Sequence, residues 1–213
     1  MTVTCRRYVN WGLMSRITTL VFDIGNVLSH FSFEKIAAEA SRFTNMPVQA
    51  IQDVLIQWSH PFCLGDLEAP DFARSCIDDL QFTGTPEDLR AVYNRGFSPN
   101  DAMCSVIERY ASRFALYYLS DTNVWHLEHL LAHDPLLPRF EGGTTSFEAR
   151  ALKPDAAIYE RAARDHGFNP AHAVFIDDRV ANVAGAEAVG FTGLHYEPDR
   201  HEDFEVKLAA LLQ

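Results

Sequence analysis

Residues 18–28, TTLVFDIGNVL, constrain the chain more than any other stretch. Thr19, Leu20, Val21 and Phe22 have strand character, and Gly25 and Asn26 favour a turn just after Asp23. An apolar run ending in a carboxylate reads as a buried strand that delivers Asp23 to the carboxyl edge of a parallel sheet, where open α/β sheets hold their ligands. Alone, the pattern is more simply a strand followed by a helix-capping Asp.

Three later segments change that reading: ALYYLSDTN at 115–123, ARALKPDAAIY at 149–159 and AVFIDDRVANVAGA at 173–186. The first and last repeat the design of a short apolar strand ending in small or acidic polar residues. The middle one supplies Lys153, a proline and a helical pattern. In this order the chain resembles the haloacid dehalogenase-like (HAD) hydrolase superfamily, whose motifs are an Asp nucleophile, a Ser or Thr, a Lys and a paired-acid metal motif. The resemblance spans Thr18 to about His195. FDIGNVL, LSDTN, LKPDAAIY and FIDDRVANVAGA look most like a bacterial branch of capped sugar-phosphate phosphatases that includes α-D-glucose-1-phosphate phosphatase. It implies an α/β fold, a Rossmann-like parallel sheet core carrying an inserted helical cap.

The chain's own pattern agrees. After the first strand, residues 29–98 turn helical. Ser32 can cap a helix with Phe33, Ile36, Ala37, Ala40 and Phe43 on one face, and Pro47 opens a second with Val48, Ile51, Leu55 and Trp58. A third follows Pro70, and Thr85-Pro86-Glu87-Asp88 starts a fourth. The spacing predicts a small four-helix bundle with 61–71 as a loop, and the resemblance implies that this region faces the catalytic edge, with Phe62, Asp66, Trp58 or His60 as candidates for substrate contact. Alternating α and β units over 99–213, together with 14–28, form the core. Residues 1–13 read as a disordered N-terminal extension.

With 18 basic and 29 acidic residues the formal charge is −11. Such a chain repels nucleic acid and anionic membrane, so a phosphorylated small molecule must be drawn in by a metal or a Lys. Cys5, Cys63, Cys76 and Cys104 form no C-x-x-C pair, which suits free thiols in a cytoplasm. No apolar run is long enough to span a membrane. Oligomeric state is not encoded in these patterns.

A carboxylate can attack a phosphoryl group and form an aspartyl phosphate that water cleaves, and Asp23 suits that role. A cation must separate Asp23 from an anionic substrate. Asp177 and Asp178 supply hard oxygens of the kind Mg²⁺ prefers. The resemblance implies direct ligation by Asp23, Asp178 and the Gly25 carbonyl, with Asp177 in or just behind that set. It also gives Ser120 and the N–H groups of Asp121 and Thr122 to the phosphoryl oxygens, Lys153 to charge neutralisation, and Asn182 to holding the acidic loop.

Three positions depart from the superfamily pattern. Gly25 stands where many members carry a second, general-acid Asp, Asp121 replaces a commoner Asn, and Leu152 replaces a frequent Gly. The leading expectation is a Mg²⁺-dependent phosphatase of a small, sugar-like phosphate. The alternatives are a metal-free 2-haloacid dehalogenase using Asp23 and a catalytically weak binding module.

Overall fold

The computed structural model describes residues 17–213, so the expected extension at 1–13 and Cys5 lie outside the described residues. β1 (Thr19–Phe22) is the middle strand of a five-stranded parallel sheet. On one side lie β4 (Ala115–Ser120) and β5 (Gly142–Thr145), on the other β6 (Ala173–Asp177) and β7 (Thr192–His195). Every residue of β1 is buried because helices cover both faces, which is why the strand reads as a continuous apolar run. Leu20 and Phe22 point into one layer with Met103, Val106 and Ile107 of α5 (Asp101–Tyr110) and Phe204 and Leu208 of α10 (His201–Leu211). Val21 points into the other, against Ile158 and Tyr159 of α8 (Ala156–His166) and Ala186 of α9 (Val180–Ala188).

Register fixes what sits at the sheet edge. Phe22 pairs with Tyr118 on one side and Ile176 on the other. The next residue along each strand is therefore Asp23, Leu119 and Asp177. The Asp23 N–H donates to the Ile176 carbonyl at 2.8 Å, which fixes its backbone there.

Four helices follow the first strand: α1 (Phe33–Ala40), α2 (Val48–Leu64), α3 (Ala69–Leu80) and α4 (Pro86–Tyr93). The Ser32 side chain accepts from the Lys35 N–H, and Thr85 with Asp88 forms a reciprocal capping box. Ile36, Ile51, Leu55, Phe72 and Tyr93 form the interior of this insert, and Trp125 of α6 (Val124–His133) joins it from the sheet domain. The chain leaves and re-enters the sheet domain through an antiparallel ribbon of β2 (Ser29–Phe31) and β3 (Phe97–Pro99), which the sequence pattern did not predict.

The expected loop at 61–71 is corrected: α2 runs through Pro61 to Leu64. Stacking of Phe62 on Phe72 at 4.3 Å and its edge contact with Trp125 reward the extra turn. Gly65 ends the helix with φ at +79°, and a Cβ there would lie 2.4 Å from the Phe147 carbonyl oxygen. Phe62 is thus an interior residue, Asp66 pairs with Arg150, and Trp58 donates to Asp79. His60 alone of the four expected contacts faces the chamber described next. Among the described residues no helix is long and apolar enough to cross a membrane.

Candidate active site

Lys153 is the hub of the sheet edge. Its ammonium has three hydrogens and three acceptors: Asp23 Oδ1 at 2.8 Å, Asp177 Oδ2 at 2.7 Å and the Leu119 carbonyl at 3.2 Å. Its side chain is 1% exposed. Burial opposes the charge, but the Asp23 and Asp177 carboxylates outweigh it and hold the ammonium protonated well above the usual lysine range.

Both donors to Asp23 reach one oxygen. Oδ1 accepts from Lys153 and from the Ile24 N–H at 2.7 Å, and Oδ2 accepts no hydrogen bond from the described residues. Burial, partly offset by Lys153 and reinforced by Asp177, pushes this carboxyl up to about 7.

Asp177 is the reverse case. It is fully buried, and both oxygens are engaged, by Lys153, by the Asn182 amide at 3.0 Å to each, and by the Arg179 N–H at 2.8 Å. Asp178 is half-buried, and its carboxylate accepts from Asn26 Nδ2 at 3.2 Å. Asn26 adopts a left-handed φ of 56°, and its Oδ1 accepts from the Phe31 N–H, so it joins the acidic loop to the ribbon. Oxygens of Asp23, Asp177 and Asp178 lie within 4.8 Å of one another. Three carboxylates around one ammonium leave the cluster negative, and this hard-oxygen donor set fits Mg²⁺.

A chamber of about 480 Å³ opens over this edge, with Gly25, Ser120, Asp121, Thr122 and Lys153 lining it from the sheet domain. Asp121 faces Lys153 a second way, accepting its backbone N–H at 3.0 Å. The expectation for Thr122 is corrected: its N–H donates to Ser146 Oγ at 3.0 Å and is not available to a phosphoryl group. Ser146 opens α7 (Ser146–Ala149) and donates onward to the Cys63 carbonyl at 2.5 Å, fastening α2 to the loop after β4. At Gly25 a Cβ would meet nothing within 4 Å, so a side chain would be accommodated.

Sequence reasoning missed the residues that connect the insert to this site. Asn123 caps α6, and His126 stacks on Tyr93 at 4.2 Å. His126 Nε2 lies 3.3 Å from the Tyr93 carbonyl and must carry the proton, so Nδ1 accepts from Asn123 Nδ2 at 3.2 Å. The signal visible in the sequence is Asn123 directly after LSDT, a capping residue ahead of an apolar run. Burial pushes His126 down to about 3. An unfolded chain takes up that proton from pH 6.5 downward, so the folded state loses about 1.4 kcal/mol per pH unit between 6.5 and about 3. We expect His126→Gln to flatten the acid limb of a Tm-against-pH curve, and an unchanged slope would show that another group sets it.

A profile of the haloacid dehalogenase-like hydrolase family matches residues 17–190. The chain belongs to that family. Among curated proteins, this HAD-like hydrolase is 25% identical over 190 residues to the chloroplast flavin mononucleotide hydrolase 1 of Arabidopsis thaliana, covering 85% of this chain and 73% of the relative. Among solved structures, HAD family enzyme bt-2542 of Bacteroides thetaiotaomicron, in complex with magnesium and inorganic phosphate, superposes with a TM-score of 0.74 at 18% identity, covering 85% and 95% of the two chains. A HAD-like family hydrolase of Porphyromonas gingivalis gives 0.74 at 25% identity over 92% and 98%.

Proposed function

We propose that this HAD-like hydrolase is a Mg²⁺-dependent phosphomonoesterase of a small metabolite, working through an aspartyl phosphate on Asp23. The observation that carries the reading is the state of Asp23: one oxygen held by Lys153 and Ile24, the other without a partner among the described residues and beside two more carboxylates. The name of the Arabidopsis relative, a hydrolase of a phosphomonoester, and the magnesium and phosphate in the Bacteroides enzyme support the same class.

Asp23 Oδ2 attacks phosphorus, the bond from phosphorus to the alcohol oxygen breaks, and water then cleaves the acyl phosphate. Lys153 orients the nucleophile and offsets charge on the phosphoryl oxygens, which Ser120 and the Asp121 N–H also receive. Asp23, Asp178 and the Gly25 carbonyl would hold the metal, while Asp177, whose oxygens already accept four N–H bonds, anchors Lys153. When bound, Mg²⁺ offsets the negative charge on the transferring group. Residues 29–98 act as the cap that closes the chamber. The three described cysteines are unpaired, as a reducing cytoplasm would keep them.

Phosphate release from p-nitrophenyl phosphate should require Mg²⁺ and vanish in excess EDTA. Full turnover in chelator would overturn the metal requirement, halide release from a 2-haloacid without metal would favour the dehalogenase chemistry, and no turnover of either substrate a binding module.

Position 25 offers no acid, so the leaving oxygen takes its proton from water and the rate should fall steeply as leaving-group pKa rises. Gly25→Asp has room for its side chain and should flatten that dependence, gaining about 10²-fold or more on alkyl esters. The check is kcat across graded esters for both proteins. A flat wild-type series would mean that another residue already donates the proton.

The motif resemblance implied a sugar phosphate, and a sugar ester belongs in any substrate panel, but the insert-side wall of the chamber is aromatic.

A further inference from the structure

We propose that the alcohol this enzyme releases is apolar, alkyl or aryl, and that the wall built from Phe31, Phe33, Ile56 and Phe97 selects it; this rests on the phosphomonoesterase reading above.

The wall comes from both strands of the ribbon and from α1 and α2, all facing the chamber whose floor is the phosphoryl site. Its rings form one cluster. Phe31 meets Phe33 and Phe97 at 4.9 Å each, and Phe97 meets His126 at 4.9 Å. Ile56 is 45% exposed, an apolar side chain left facing the opening.

A sugar leaving group needs donors and acceptors that match its hydroxyls, because desolvated hydroxyls without partners cost affinity. The polar groups on this side are already bonded to one another. Ser59 Oγ donates to the Leu55 carbonyl at 2.5 Å, so the Tyr93 hydroxyl must donate to Ser59 at 2.6 Å. Both His126 nitrogens are engaged, by Tyr93 and Asn123. His60 and Arg179 also line the chamber and are exposed, so water already serves them where polar parts of a substrate would meet them. A wall that offers apolar area and satisfied polar groups rewards a methylene and does not reward a hydroxyl.

The test separates leaving-group chemistry from binding by using a homologous series. Straight-chain alkyl phosphates from ethyl to octyl share one leaving-group pKa, so a rise in kcat/KM reads burial alone. We expect about two- to fourfold per added methylene until the chamber is filled, and glucose 6-phosphate, also a primary ester, well below hexyl phosphate. The same series of alkylphosphonates, which cannot be hydrolysed at the ester position, is titrated with Mg²⁺ present and should tighten in Kd by a similar factor. Ile56→Ser, at an exposed site, and Phe33→Ser should each flatten both series. A flat Kd series, or glucose 6-phosphate equal to hexyl phosphate in kcat/KM, overturns the proposal. Phosphonates that tighten with length while no ester turns over would support the apolar wall and overturn the phosphomonoesterase reading instead.

Discussion

Asp23→Asn is expected to lower kcat for every phosphate ester by roughly 10⁴-fold or more, because it removes the attacking group while leaving the site assembled. The Asn side chain can still accept from Lys153 and the Ile24 N–H, the two bonds now made by Asp23 Oδ1. Stability should move the other way. The Asp23 carboxyl takes up its proton near pH 3.8 when unfolded and at about 7 in the fold, so the folded state binds more protons across that window and loses stability as pH rises through it. Asn at this position removes that loss. In the absence of metal at about pH 8, the Tm of the variant should therefore equal or exceed that of the wild type. A variant that is inactive because it is unfolded, with a markedly lower Tm, would show that Asp23 holds the structure together and would remove the argument for its chemistry.

Lys153→Ala should harm both catalysis and folding. The ammonium is the shared partner of Asp23 and Asp177, and deleting one side of a buried ion pair typically costs about 3–5 kcal/mol. Burial already raises the Asp23 carboxyl, and without Lys153 it binds its proton still more tightly in the fold than in the unfolded chain, so the destabilisation should be larger at about pH 8 than at about pH 5. In the folded fraction, kcat and kcat/KM should fall together, by roughly 10²- to 10³-fold, since the charge acts on a group that becomes more negative as it transfers. A variant with raised KM and unchanged kcat would reduce Lys153 to a substrate anchor.

The parts of this site that the sequence made legible are those in which a strand ends on its own functional residue. β1 ends at Phe22 and delivers Asp23, β4 ends in Ser120 and β6 in Asp177, because parallel pairing puts the ends of neighbouring strands on one edge. The caps at Ser32 and Thr85 were legible for a similar reason, since each lies within three residues of its partner. What stayed hidden depends on distant partners. Strands of three residues, Ser29–Phe31 and Phe97–Pro99, are too short to show alternation, and they pair across the whole insert. The Thr122 N–H is taken by Ser146 Oγ, an acceptor 24 residues away that no local pattern reveals. The turn formers of 61–71 read as a loop, yet the stacking of Phe62 on Phe72 carries α2 past Pro61 to Leu64. The aromatic wall was hidden for the same reason, as Phe31, Ile56 and Phe97 are brought to one surface only by the fold of the insert.

The central claim is that phosphate passes through a covalent bond to Asp23. It is tested most directly by mixing enzyme, Mg²⁺ and p-nitrophenyl phosphate, quenching in acid within the first turnover, digesting at low pH and reading peptide masses. The expected result is one added phosphoryl group on a peptide containing Asp23, released by hydroxylamine and absent from Asp23→Asn. Turnover by the wild type with no such adduct, or with the phosphoryl group on another residue, would contradict it.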